Sequence, residues 1–158
     1  MKKATEIAQF FLRIALGVSF VAACMDRFGL SGAPGSAGVS WGDWNHFSIY
    51  AHKMMFFLPS AWAEIFAVLA SVAELLLGIL LIIGLFTRWT SIGSGLLLIG
   101  FGISMAVAWG IHAPLSYSVF TAAGAAFLLA AIPGYRWSVD AVLKNKTKRN
   151  SSRVLQLV

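Results

Sequence analysis

The sequence predicts an all-α integral membrane protein, a bundle of four transmembrane helices with both termini in the cytoplasm. Three observations carry that reading. Hydrophobic residues make up 59% of the 158-residue chain and charged residues 11%, against about 25% charged in soluble domains. Four apolar stretches, Ile7 to Met25, Ala61 to Phe86, Thr90 to Ile111 and Leu115 to Ile132, each approach the roughly 20 residues that a bilayer-crossing helix needs. Alternating ten-residue strands with turn signals do not occur, so a helical bundle is expected rather than a closed barrel. Twelve Lys/Arg and six Asp/Glu are too few for a disordered polyelectrolyte, and the length excludes a two-domain enzyme.

The first span opens behind Lys2 and Lys3. Val21, Ala22, Ala23 and Cys24 resemble a lipobox, which would make this segment a cleaved signal peptide. A retained helix is preferred because Arg13, within it, has acidic partners available. An outer loop follows over residues 27–60. Its Gly/Ser/Ala/Pro run from Gly29 to Ser40 and the string Trp41 to Phe47 have no helical period. Phe47, Tyr50, Ala51, Met54, Met55, Phe57 and Leu58 then recur at helical spacing opposite Ser48, His52 and Lys53. That pattern predicts a short amphipathic helix in the outer interface, stopped by Pro59, with Trp41, Trp44 and Trp62 in the aromatic belt. Spans two and three are joined by a turn carrying Arg88, and spans three and four by a connection without Lys or Arg.

Residues 1–133 thus form the membrane domain and residues 134–158 a basic cytoplasmic tail. The net charge of +6 resides at the two ends, since Arg13, Arg27, Lys53 and Arg88 balance Asp26, Asp43, Glu64 and Glu74 in between. Retention of Lys/Arg in cytoplasmic loops places both termini inside an inner, cytoplasmic membrane. Lys144, Lys146, Lys148 and Arg149 would meet anionic lipid headgroups. No folded basic surface of a kind suited to nucleic acid is expected.

A charge inside the bilayer costs about 2.5 kcal/mol or more, so it is expected to face the bundle interior beside a partner. Arg13 and Glu74 form the expected central pair. Arg13, Gly17, Phe20, Cys24 and Arg27 fall on one face of span one at 100° per residue, which makes a second pair, Arg27 with Glu64, feasible. Asp26 would remain for solvent, Lys53 or a ligand. Such pairs either fix helix register or supply a proton or cofactor site. Trp41, Trp44, Trp109, His112 and Tyr117 are expected at the outer helix ends, as an aromatic mouth suited to a flat lipophile such as a quinone, or simply as belt anchors. No metal site is expected: His46 and His52 fit no standard ligand spacing. A single cysteine, Cys24, excludes disulfide, zinc and iron–sulfur readings, and the lack of a mid-span histidine argues against an intrinsic haem. Gly93, Gly95, Gly100 and Gly102, and Ala122 to Ala126, give spans three and four small faces for close packing.

Several stretches together resemble the DoxX family of small bacterial membrane proteins: LRIALG at residues 12–17, DRFG at 26–29, VSWGDW at 39–44, Glu74 with Gly78, GLFTR at 84–88 and APLSYSVF at 113–120. The resemblance runs over roughly residues 10–133. Many relatives carry Lys where this chain has Arg27. It implies a four-helix membrane bundle related to the small membrane subunit of archaeal thiosulfate:quinone oxidoreductase. The expected function is then a quinone-linked redox subunit, with quinone near Glu74, Arg13 and the outer aromatics, and with electrons brought by a partner protein. A non-catalytic membrane adaptor is the alternative. A small-solute carrier is weaker, because no internal repeat is present; a homo-oligomer would supply the missing half.

Overall fold

A computed structural model describes residues 2–146. The expected headgroup contacts of Lys148 and Arg149 lie outside the described residues. Seven helices form among the described residues: α1 (Lys2–Arg27), α2 (Trp44–Met54), α3 (Ser60–Ile83), α4 (Thr87–Trp109), α5 (His112–Ser116), α6 (Val119–Ala131) and α7 over 139–146. Three of them, α1, α3 and α4, are long and apolar enough to cross a membrane. Their lipid-facing character is visible in the many large apolar side chains left exposed, such as Phe11, Leu69 and Leu96, which a soluble protein would bury.

α1 packs along α3, α4 along α6, and α3 against α4. Small residues set these distances. A methyl group on Gly17 of α1 would lie 2.8 Å from the Gly78 carbonyl oxygen of α3, so the two backbones touch there. On α4, Gly95 and Gly102 are the hollows that receive Phe127 and Phe120 of α6; an added Cβ would meet each ring at 2.6 Å. Leu16, Leu81, Ala126 and Leu129 form the core at one level, and Phe20, Leu98 and Ala123 at the next.

The bundle has two unlike ends. At the turn end, α3 stops at Ile83, three residues before the expected limit, because Gly84 adopts a left-handed conformation (φ +70°) and Gly84 and Leu85 both return N–H groups to the Leu80 carbonyl. Phe86 is also left-handed, and α4 begins at Thr87. At the loop end, residues 28–43 lead from α1 into α2. Asp43 caps α2 by accepting from the His46 N–H at 2.8 Å. That bond, with the His46 ring 2.9 Å away, holds the Asp43 carboxyl below its ordinary range. Phe47, Ala51 and Met54 are the buried face of α2, and Phe47 and Ala51 rest on Ala67 of α3.

Two expectations about the elements are corrected. The amphipathic helix begins at Trp44 and ends at Met54, rather than running from Phe47 to Leu58, because Asp43 supplies an N-cap one turn earlier. The stretch from Leu115 to Ile132 is not one continuous helix. Ser118 is left-handed (φ +54°) and separates α5 from α6, which leaves α6 with 13 residues and a length of about 20 Å.

Candidate functional site

The loop-end half of the α1–α3 interface holds a buried polar cluster. Arg27 ends α1 and is 4% exposed; Glu74, in α3, is also 4% exposed. Nη1 of Arg27 donates to Oε2 of Glu74 and, at 2.9 Å, to Oγ of Ser71, which itself donates to the Ala67 carbonyl at 2.9 Å. Cys24 donates its thiol to the Ser71 carbonyl at 3.3 Å. The guanidinium lies 4.2 Å from the Phe47 ring centroid and 5.3 Å from that of Trp41. Two aromatic faces and one carboxylate thus offset the cost of removing this cation from water. Nε of Arg27 is buried without a hydrogen-bond acceptor among the described residues.

Arg27 and Glu74 are at the floor of a cleft of about 880 Å³ between α2, α3 and α4. Its walls are mainly apolar, with Phe47, Met54, Phe66, Leu97 and Phe101 among them, and Trp41, Tyr50, Ser104 and Tyr117 supply polar edges. Above the pair the aromatic rings form a connected roof: Trp44 stacks on Phe28 and meets Phe47, Phe47 meets Trp41, Trp41 meets Tyr50, and Tyr50 lies 4.8 Å from Trp109. Burial pushes the Tyr50 phenol above its ordinary range.

The residues singled out from sequence do not all gather here. Among the described residues Arg13 makes no ion pair with a carboxylate. It is buried at the turn end, where Nη2 donates to the Trp137 carbonyl at 2.5 Å and Nη1 to the Arg136 carbonyl at 3.4 Å. The Arg13–Glu74 expectation fails because α1 and α3 are antiparallel in a register that sets Gly17 on Gly78 and Cys24 on Ser71. Arg13 therefore meets Gly84, ten residues and about 15 Å from Glu74.

The Arg27–Glu64 expectation fails with it. Glu64 instead accepts from Trp44 Nε1 at 2.9 Å and Ser48 Oγ at 2.5 Å, and His52 Nε2 lies 3.1 Å away. Ser48 and His52 are thus turned to this carboxylate, while Lys53 is exposed.

Asp26 is not left for solvent or a ligand. Its carboxylate accepts the backbone N–H groups of Ser40, Trp41 and Gly42 at 3.0 to 3.2 Å and closes the outer loop. Gly42 permits this: it has φ +73°, and a Cβ would stand 2.5 Å from the Pro34 nitrogen. Of the expected aromatic mouth, Trp41 and Tyr117 line the cleft. Trp44 and Trp109 join through the roof, and His112 is exposed at the start of α5. Among the described residues no three His, Cys, Asp or Glu gather as a metal site.

Sequence reasoning passed over Ser71 and Asp140. Ser71 stands three residues before Glu74, on its face of α3, and that spacing was the available signal. Asp140 accepts the N–H groups of Phe86 and Thr87, both at 2.8 Å, and so caps α4 from a distant segment.

Residues 8–113 match the sequence model of the DoxX family, about two thirds of the chain. The chain belongs to the DoxX family. The matched region of this DoxX protein contains the Arg27–Glu74 pair, Asp26 and its loop, the GLFTR turn, α1 from residue 8 onward and all of α2 to α4; α6 lies beyond it. No curated protein and no solved structure matches the chain. Family membership and the three long apolar helices make it a membrane protein.

Proposed function

We propose that this DoxX protein is a quinone-linked membrane subunit that works with an electron-donating partner protein. It crosses the inner membrane four times, with α5 and α6 together, residues 112–131, as the last crossing and both termini in the cytoplasm. The orientation is supported by charge: residues Lys2, Lys3, Arg88, Arg136, Lys144 and Lys146 belong to the turn end, and cytoplasmic ends retain such residues. At the loop end Lys53 is exposed and Arg27 is paired with Glu74.

The observation that carries the functional reading is the apolar cleft floored by Arg27 and Glu74. Its volume of about 880 Å³ suits a lipophilic small molecule. Arg27 Nε, buried without an acceptor, fits a ligand that brings a carbonyl oxygen. A bound quinone would accept two electrons, brought by the partner protein, and two protons at that position. Arg27 holds the carbonyl end, Glu74 holds or passes a proton, Trp41 and Tyr50 clamp the ring, and the apolar walls exclude water. Arg13 has no part in this site, because it serves the opposite end of α1.

The test is to purify the full chain in native-lipid nanodiscs, extract and quantify quinone, and follow tryptophan quenching as quinone is added. Bound quinone at near-stoichiometric amounts and saturable quenching that weakens at least tenfold in Glu74→Gln are expected. A quinone-free preparation with no saturable quenching overturns the reading. A partner captured equally by wild type and Glu74→Gln, without quinone, would make the protein an adaptor.

A further inference from the structure

A second cavity, of about 800 Å³, opens at the turn end between the start of α4, the segment after α6 and α7. Its charged residues are Glu6, Arg88, Arg136, Asp140 and Lys144. Three of these are already engaged. Arg136 is paired with Glu6 at 2.9 Å, and both carboxylate oxygens of Asp140 accept backbone N–H groups at the start of α4. Arg88 and Lys144 remain as two cations without a carboxylate partner among the described residues. The cavity therefore presents a positive surplus.

Its rim gives the chemistry of the ligand. Trp89 and Phe86 line the cavity and are 72% and 64% exposed, and Trp137 is exposed nearby and touches Phe10 of α1. Exposed aromatic rings at the end of an apolar bundle mark headgroup depth. A ligand here meets cations on one side and apolar surface from Ile132 and Pro133 on the other. A free inorganic anion would leave the apolar wall unused, and an acidic peptide would have to compete with lipid at this depth.

We propose that this cavity binds the phosphate headgroup of an anionic phospholipid between Arg88 and Lys144, with the acyl chains running along the α4 and α6 flank. The inference requires only that the turn end meet a membrane surface; it stands apart from the cleft and its ligand.

The test uses the full chain in detergent with phosphatidylglycerol and phosphatidylcholine added in equal amounts, and native mass spectrometry counts the lipid retained. Preference for phosphatidylglycerol of about tenfold is expected, since each juxtamembrane cation contributes about fivefold at most when fully engaged. Arg88→Gln with Lys144→Gln should bring the two lipids to parity, and Lys53→Gln at the loop end should leave the preference unchanged. If the double variant loses helical circular dichroism, Lys144→Gln alone, on an exposed position of α7, is read for a threefold to fivefold loss. Equal retention of both lipids by the wild type, unchanged preference in the variants, or displacement of phosphatidylglycerol by millimolar inorganic phosphate would each overturn the assignment.

Discussion

Arg13 and Arg27 occupy the same face of the same helix, and both are almost fully buried, yet they are neutralised in opposite ways. At the loop end Arg27 meets a carboxylate, two aromatic rings and an open cleft. At the turn end Arg13 meets backbone carbonyls of residues 136 and 137, with Gln9 donating to the same Arg136 carbonyl. A carboxylate partner beside a cavity leaves a titratable pair where a ligand can reach it. Carbonyl partners on a docked segment leave nothing to titrate, and the arginine becomes a clasp. Helix position alone therefore does not separate a site from a fastening; the partner and the space beside it do.

The largest expected effect comes from breaking the loop-end pair on one side only. Arg27→Met leaves Glu74 buried without its cation, and Glu74→Leu leaves Arg27 alone, and each is expected to destabilise by about 3–5 kcal/mol. The double variant should recover most of that loss while still failing to bind ligand. Thermal unfolding of the three variants in detergent, read as a double-mutant cycle, checks the coupling. Additive losses would mean that the pair is not the unit described here.

At the turn end, Arg13→Met removes two charge-assisted hydrogen bonds and is expected to cost about 1.5–3 kcal/mol. Its signature is local: trypsin should cut at Arg136 faster, while any cleft ligand is bound as in wild type. Asp140→Ala is smaller again, about 0.5–2 kcal/mol for a lost cap, measured as faster amide exchange at Phe86 and Thr87.

The smallest effect is a pH dependence at the loop end. The Asp43 carboxyl is held below its ordinary range by the His46 N–H, so the capping contribution is fully present above the unfolded value near 3.9 and is lost as pH falls through the lower folded value. Tryptophan fluorescence of the roof should stay constant from neutral pH to about 4 and change only below it. Asp43→Asn should diminish that acid transition, the remainder coming from Glu64, which accepts from Trp44 of the roof.

Much of the framework was legible in the sequence. The stripe from Arg13 to Arg27 is buried as its spacing requires, and Gly95 and Gly102 are the close-packing positions that their small size suggests. Which acid meets which base was not legible. That choice depends on the α1–α3 register, fixed by the contact of Gly17 with Gly78, and hydropathy does not encode register. Helical spacing likewise hid the break at Ser118, since an apolar run reads the same whether or not one residue turns left-handed. The loop-closing role of Asp26, and Asp140 altogether, escaped because each satisfies backbone groups of a segment remote in sequence, 14 to 16 residues away for the first and 53 to 54 for the second.

The distance from Phe86 to Asp140 also has a meaning in time. A ribosome adding about 5–20 residues per second delivers Asp140 roughly 3–11 s after Phe86, since 54 positions separate them. Until then the first amides of α4 lack the carboxylate that will satisfy them, and the α3–α4 hairpin is left unfinished at one end. Loss of the chain from residue 138 onward would leave the first amides of α4 without that carboxylate, as in the nascent chain.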